Sequence, residues 1–254
     1  MKRPQEIRAA PKEWISLLQT AYTFLRERGV GDLTLYGSQA MSVYMKNPLR
    51  SKDLDLLSSQ VSLRQAETLG EKLSEIKDVE YWSTGVQTRK FDDRKMTTCA
   101  IELRVSGKPF FIELFDKILD GQPLSLLQPH VELTKRWDLE FWTPSREATV
   151  ALRLAFRPPE GITRLNATRL NSFIQENKRS LNLGMISSIL KNWNIVEWVE
   201  RNLIELHRRH RIRILYDHIM VPEWKTRSST TTRRSRRSVN SARGRLGTRS
   251  SSEQ

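Results

Sequence analysis

The chain has 254 residues, 38% of them hydrophobic, a mean hydropathy of −0.55 and a formal net charge of +14. That length holds one large domain or two small ones with a real core, and no apolar run approaches the roughly 20 residues of a membrane-spanning helix, so no membrane role is expected. The opening "MKRPQEIRAAPKEW" lacks the apolar segment of a secretory leader, and a single cysteine, Cys99, excludes an internal disulfide. A reducing, cytoplasmic setting is therefore the expectation, with Cys99 a buried strand residue.

In chain order, "PKEWISLLQTAYTFLRERG" (11–29) has Trp14, Leu17, Leu18, Ala21, Phe24 and Leu25 at helical spacing and stops at glycine. "DLTLYG" (32–37) predicts a short strand, "SQAMSVYMK" (38–46) a helix opened by serine, and "KDLDLLS" (52–58) a strand. A helix over 62–77 follows, then strands at 79–83, 86–91, 97–105 and 109–115. From residue 144 the periodicity is helical over 144–157, 166–176, 182–191 and 193–210, with 211–220 ambiguous. The expected fold class is an α/β (α+β) domain with a mixed sheet over residues 1–125, a mostly helical domain over 126–224, and a disordered basic tail over 225–254. The tail carries nine of the 43 basic residues and one acid, which leaves residues 1–224 at only +6. It is a nucleic-acid arm or an inert extension.

The chemistry concentrates in "YGSQAMSVYMKNPLRSKDLDLL" (36–57). Residues two apart on a strand share a face, roughly 6.6 Å apart, so Asp53 and Asp55 project together while Leu54 and Leu56 turn the other way. Two carboxylates on one face repel unless a cation sits between them, and hard oxygen ligands suit Mg²⁺ or Mn²⁺. A third carboxylate from a neighbouring strand would complete a two-metal site. Gly37-Ser38, at a strand end and a helix start, suits close approach of a phosphate. His207 and His210 lie three apart among Arg208, Arg209, Arg211 and Arg213, which would repel a metal. They read as a solvated basic face, one that also suits RNA phosphates. A metal-dependent sugar transferase shares the D-x-D but leaves the Gly-Ser unexplained.

These residues resemble the polymerase-β-type nucleotidyltransferase superfamily, whose signature is hG[GS] followed by [DE]h[DE]h. More narrowly, Arg50-Ser51-x-Asp53-Leu54-Asp55 is similar to the R-[ST]-x-D-[IL]-D of the AbiEii-like, toxin-type branch, and "TPSREATVALRLAF" (143–156) resembles the segment opening its helical half. The resemblance implies transfer of a nucleoside monophosphate from an NTP to an RNA or protein acceptor, with Mg²⁺ or Mn²⁺ as cofactor and an antitoxin as partner. It implies that Gly37 and Ser38 contact phosphates and that Asp53 and Asp55 bind metal. It also implies a third carboxylate on a later strand, for which "FFIELFD" (110–116) offers Glu113, the favoured choice, and Asp116. Where the branch has a lysine and a following acid, this chain has Arg153 as a phosphate-holding residue, with Asn166 and Asn171. An inactive nucleotide- or RNA-binding relative is the alternative those departures motivate.

Overall fold

The computed structural model describes residues 8–91, 93–155, 162–194 and 196–219; the expected basic tail over 225–254 lies outside them. Helix α1 (Pro11–Glu27) starts with proline in its first turn and buries Trp14, Leu17, Leu18, Ala21, Phe24 and Leu25, the apolar stripe of its sequence. Short β1 (Thr34–Leu35) leads into α2 (Gly37–Val43), and β2 (Asp53–Leu57) returns antiparallel to β1. Helix α3 (Leu63–Leu73) opens on a Ser62/Gln65 capping box. Then come β3 (Val79–Phe91), β4 (Arg94–Val105) and β5 (Lys108–Phe115).

Two strands follow that the sequence does not announce, β6 (Val131–Arg136) and β7 (Leu139–Pro144). They are joined by Trp137 and Asp138, both left-handed at φ 54° and 58°. A two-residue turn of this kind normally carries glycine or asparagine, so its sequence signal is missing. Trp137 is held there by the Trp14 ring, edge-on at 5.2 Å, and by Phe141, stacked at 6.0 Å. β7 pairs parallel to β1, so the sheet runs past residue 125 in the order β3-β4-β5-β2-β1-β7-β6. β3 is also one long strand where two short ones are expected, pairing with β4 from Val79 to Phe91 with an irregularity between Tyr81 and Ser83.

The remaining elements are helical: α4 (Arg146–Ala155), α5 (Arg164–Asn177), α6 (Leu183–Trp193), α7 (Val196–His210) and α8 (Ile214–Ile219). α6 ends where Asn194 turns left-handed at φ 54°. Two cores flank the sheet. On one face Leu54, Leu56, Ile112 and Leu114 pack with α1 and α3; on the other Leu57 joins the bundle built from α4 to α8. No helix among the described residues is long and apolar enough to cross a membrane.

Candidate active site

The alternation along β2 fixes the site. Leu54 and Leu56 are fully buried in the core against α1 and α3, which obliges Asp53 and Asp55 to face the opposite side of the sheet. β5 runs parallel beside β2 with Asp55 opposite Glu113 and Asp53 opposite Phe111, so the Glu113 side chain rises on the same face. The three carboxylates offer oxygens that all lie within 4.8 Å of one another. They line a cavity of about 260 Å³ with Tyr36, Gly37, Arg89, Lys117, Thr149 and Arg153. Asp116 is elsewhere: its carboxylate accepts the Thr97 N–H at 2.7 Å, at the end of the β4–β5 ladder.

Gly37 is fixed by a close approach. It sits at φ 64°, and a Cβ built there would lie 1.7 Å from Asp55 Oδ2. Only glycine lets the strand turn into α2 this near the carboxylate. Ser38 is not in the cavity lining. Its hydroxyl is buried and lies 3.1 Å from that of Ser51, which donates to Asp53 Oδ1 at 2.7 Å. Gln39 Nε2 donates to the Asp53 carbonyl. Arg153, on α4, lines the cavity. Asn166 and Asn171 do not; the Asn166 N–H is capped by Thr163, and Asn171 lines a second cleft of about 460 Å³ with Arg164, Thr168, Arg209 and His210.

Electrostatics mark the carboxylates as a charge pile-up. Burial, then the charges of Asp53 and Glu113, raise Asp55 well above the ordinary carboxylate range. Burial and Asp53 also raise Glu113, against the pull of Arg89 and Lys52. No ion pair among the described residues engages the three. Three crowded hard oxygens, with protonation favoured by burial and mutual repulsion at Asp55 and Glu113, fit a divalent cation. Burial pushes the Tyr36 phenol at the cavity wall up to about 12.

Sequence reasoning missed the cations that face this cluster. Arg89 comes from β3, away from any motif, and Lys117 directly follows "FFIELFD", just past β5, as an unremarkable cation. Arg169 on α5 donates to the Arg50 carbonyl at 2.6 Å; burial, with Arg8 and Arg153 near it, lowers its guanidinium to about 10. Charge of both signs thus meets at one cavity.

A pH dependence follows from the raised carboxylates. Because the folded chain holds these protons more tightly than the unfolded one, Asp55 and Glu113 favour folding below the ordinary carboxylate pKa of about 4, and that contribution is lost as pH rises through their raised values. A divalent cation bound there would replace the protons. The thermal midpoint gained on adding Mn²⁺ is therefore expected to be smallest in acid, where the carboxyls keep their protons, and to grow as pH rises through their raised range toward neutral. Thermal melts across that range, with and without Mn²⁺, measure it; a gain that shrinks as pH rises contradicts the site.

No known family model matches the sequence, and no curated protein matches it. Among solved structures, the chain is similar to the antibiotic-resistance factor ANT(2'')-Ia, with 13% identity over 78% of this chain and 97% of that one and a TM-score of 0.47. It is similar to JHP933 from Helicobacter pylori, with 12% identity, coverage of 89% and 99%, and a TM-score of 0.44. A third likeness is to an antigenic nucleotidyltransferase-like protein from Paracoccidioides brasiliensis, at 14% identity, 76% and 95% coverage, and a TM-score of 0.39. At TM-scores of 0.47 and below, these likenesses assign the chain no activity.

Proposed function

We propose that the protein is a metal-dependent nucleotidyltransferase that moves a nucleoside monophosphate from an NTP to an acceptor hydroxyl. One observation carries the reading: Asp53, Asp55 and Glu113 crowd together at the floor of a cavity that Arg89, Lys117 and Arg153 also line. Carboxylates alone suit a cation, and guanidinium and ammonium groups suit phosphates; the pairing suits a triphosphate with its metal. Asp53, Asp55 and Glu113 would hold Mg²⁺ or Mn²⁺, which when bound polarises phosphate oxygens and neutralises developing charge.

The chain's own groups account for the rest of the reaction. Arg153 grips phosphate through its planar fork, while Arg89 and Lys117 neutralise the pyrophosphate that leaves. Gly37 keeps the backbone out of the phosphate's way. Glu113, the third carboxylate at the cavity, accepts the hydroxyl proton of the acceptor as its oxygen bonds to the α-phosphorus. The bond from the α-phosphorus to the bridging oxygen breaks, and pyrophosphate departs with that electron pair.

An RNA acceptor is the favoured substrate, with protein as the other class. The cleft between α5 and α7 supports RNA: Arg164, Arg209, Thr168 and Asn171 line it, and His210 is held against the Ile162 carbonyl at 3.2 Å. Such a surface suits the phosphates of a polynucleotide. The sequence resemblance to the AbiEii-like branch extends the proposal to a toxin with a neutralising antitoxin partner; a small helix-turn-helix gene beside this one would support it.

The test is to incubate the full chain with each labelled NTP, Mg²⁺, total RNA and total protein, and identify by mass spectrometry what gains a nucleotide. Transfer by the wild type and none by Asp53→Asn is the expected result. Equal transfer by Asp53→Asn overturns the catalytic assignment. Nucleotide binding without turnover in any mixture favours the alternative, an inactive nucleotide- or RNA-binding relative, which the Arg153, Asn166 and Asn171 departures motivate.

A further inference from the structure

We propose that Ser38 and Ser51 form a hydroxyl relay that aims the Asp53 carboxylate, so that the serine of the Gly-Ser pair positions a metal ligand and does not touch phosphate. The inference rests on the functional reading above, which gives Asp53 its metal.

Proton counting sets the direction of the relay. Each serine has one hydroxyl proton. Ser51 spends its proton on Asp53 Oδ1 at 2.7 Å, so Ser51 is the acceptor in the 3.1 Å contact between the two hydroxyls; the Ser38 proton has two acceptors in reach, Ser51 Oγ at 3.1 Å and Gln39 Oε1 at 3.4 Å, and the shorter contact favours Ser51. Two donors in series point at one carboxylate, and each bond polarises the next. The relay is enclosed: Ser38 is 5% exposed and Ser51 1%.

The backbone around both serines is tied down. Ser42, itself fully buried, donates to the Ser38 carbonyl at 3.1 Å and accepts the Leu49 N–H at 3.0 Å. The Ser51 backbone exchanges both of its hydrogen bonds with Ala9, at 2.7 and 3.2 Å. Gln39, the next residue of α2, donates to the carbonyl of Asp53, so α2 holds the backbone of that aspartate directly and its carboxylate through Ser51. Swinging Ser38 toward the cavity would strip Ser51 of its donor inside a buried pocket, which is costly. Outer partners of this kind fix the orientation of a metal-binding carboxylate.

Mn²⁺ titration of the metal-free full chain, followed by the loss of the free-ion spectroscopic signal, tests the relay without relying on turnover. Ser51→Ala is expected to weaken Mn²⁺ by about 10- to 100-fold, the usual cost of losing such a partner. Ser38→Ala is expected to weaken it several-fold, and the double variant to bind no worse than Ser51→Ala alone, since the two act in one chain. The KM for NTP at saturating Mn²⁺ should stay within about twofold in Ser38→Ala while kcat falls. Alanine favours helix at position 38, so Ser38→Ala carries the test if Ser51→Ala does not fold. The relay is overturned if Ser38→Ala keeps wild-type Mn²⁺ affinity and raises the KM for NTP; Ser38 is then a phosphate ligand. Unchanged Mn²⁺ affinity in both variants also overturns it while leaving the nucleotidyltransferase reading intact, whereas a wild type that binds no Mn²⁺ sinks that reading itself.

Discussion

Asp55→Asn is expected to abolish transfer while making the metal-free protein more stable. The carboxylate is buried beside Asp53 and Glu113, and both neighbours push its protonation upward. Without metal, the fold opposes ionising that carboxyl, and an amide of the same shape stays neutral without taking up a proton. With metal, the same charge would be one of three carboxylate ligands. Transfer should fall by at least about a thousandfold, equivalent to about 4 kcal/mol of transition-state stabilisation at 1.36 kcal/mol per tenfold. The thermal midpoint without metal should rise, and the gain on adding Mn²⁺ should disappear. Melts and initial rates on the same preparation measure both. A variant that loses stability without metal contradicts the charge argument.

Gly37→Ala is expected to be the most damaging single-methyl change near the site. Two effects add: a left-handed φ of 64°, which costs an alanine about 1–2 kcal/mol, and a Cβ that would meet Asp55 Oδ2 at 1.7 Å. The second forces either the α2 start or the carboxylate to move, and a displacement of about 1 Å at a catalytic group costs about a hundredfold in rate. Gly29 provides the control. It has φ 80° with nothing within 4 Å of a built Cβ, so Gly29→Ala should carry the backbone strain and keep full transfer activity. Equal loss of activity in the two variants would show that strain alone, and not the approach to Asp55, explains Gly37.

The carboxylate cluster was legible because strand alternation leaves no choice. Once Leu54 and Leu56 are committed to a core, Asp53 and Asp55 must share the other face, and the parallel register carries Glu113 to them. The same rule separates Glu113 from Asp116, which caps Thr97 instead. α1 and α3 were legible through their stripes and caps. Ser38 was not, because spacing says that a residue opens a helix but not which way its hydroxyl points. That direction came from Ser51, thirteen positions later. Arg89 and Lys117 were invisible for a different reason: a lone cation on a polar strand face or in a turn has no periodic signature, and only the sheet order brings β3 and the end of β5 to the cavity. β6 and β7 went unread because Trp137 and Asp138 make a left-handed turn without glycine, stabilised by aromatic contacts from α1 and β7.

The central claim is that these carboxylates direct attack at the α-phosphorus of an NTP. Parallel reactions with NTP labelled at the α- or the γ-phosphate, in Mg²⁺ with the acceptor mixture, test it most directly. In the wild type α-label should move to the acceptor and γ-label leave entirely in pyrophosphate, and neither should happen in Asp55→Asn. Transfer of γ-label to the acceptor, or release of γ-label as single phosphate with no α-label transferred, would contradict it.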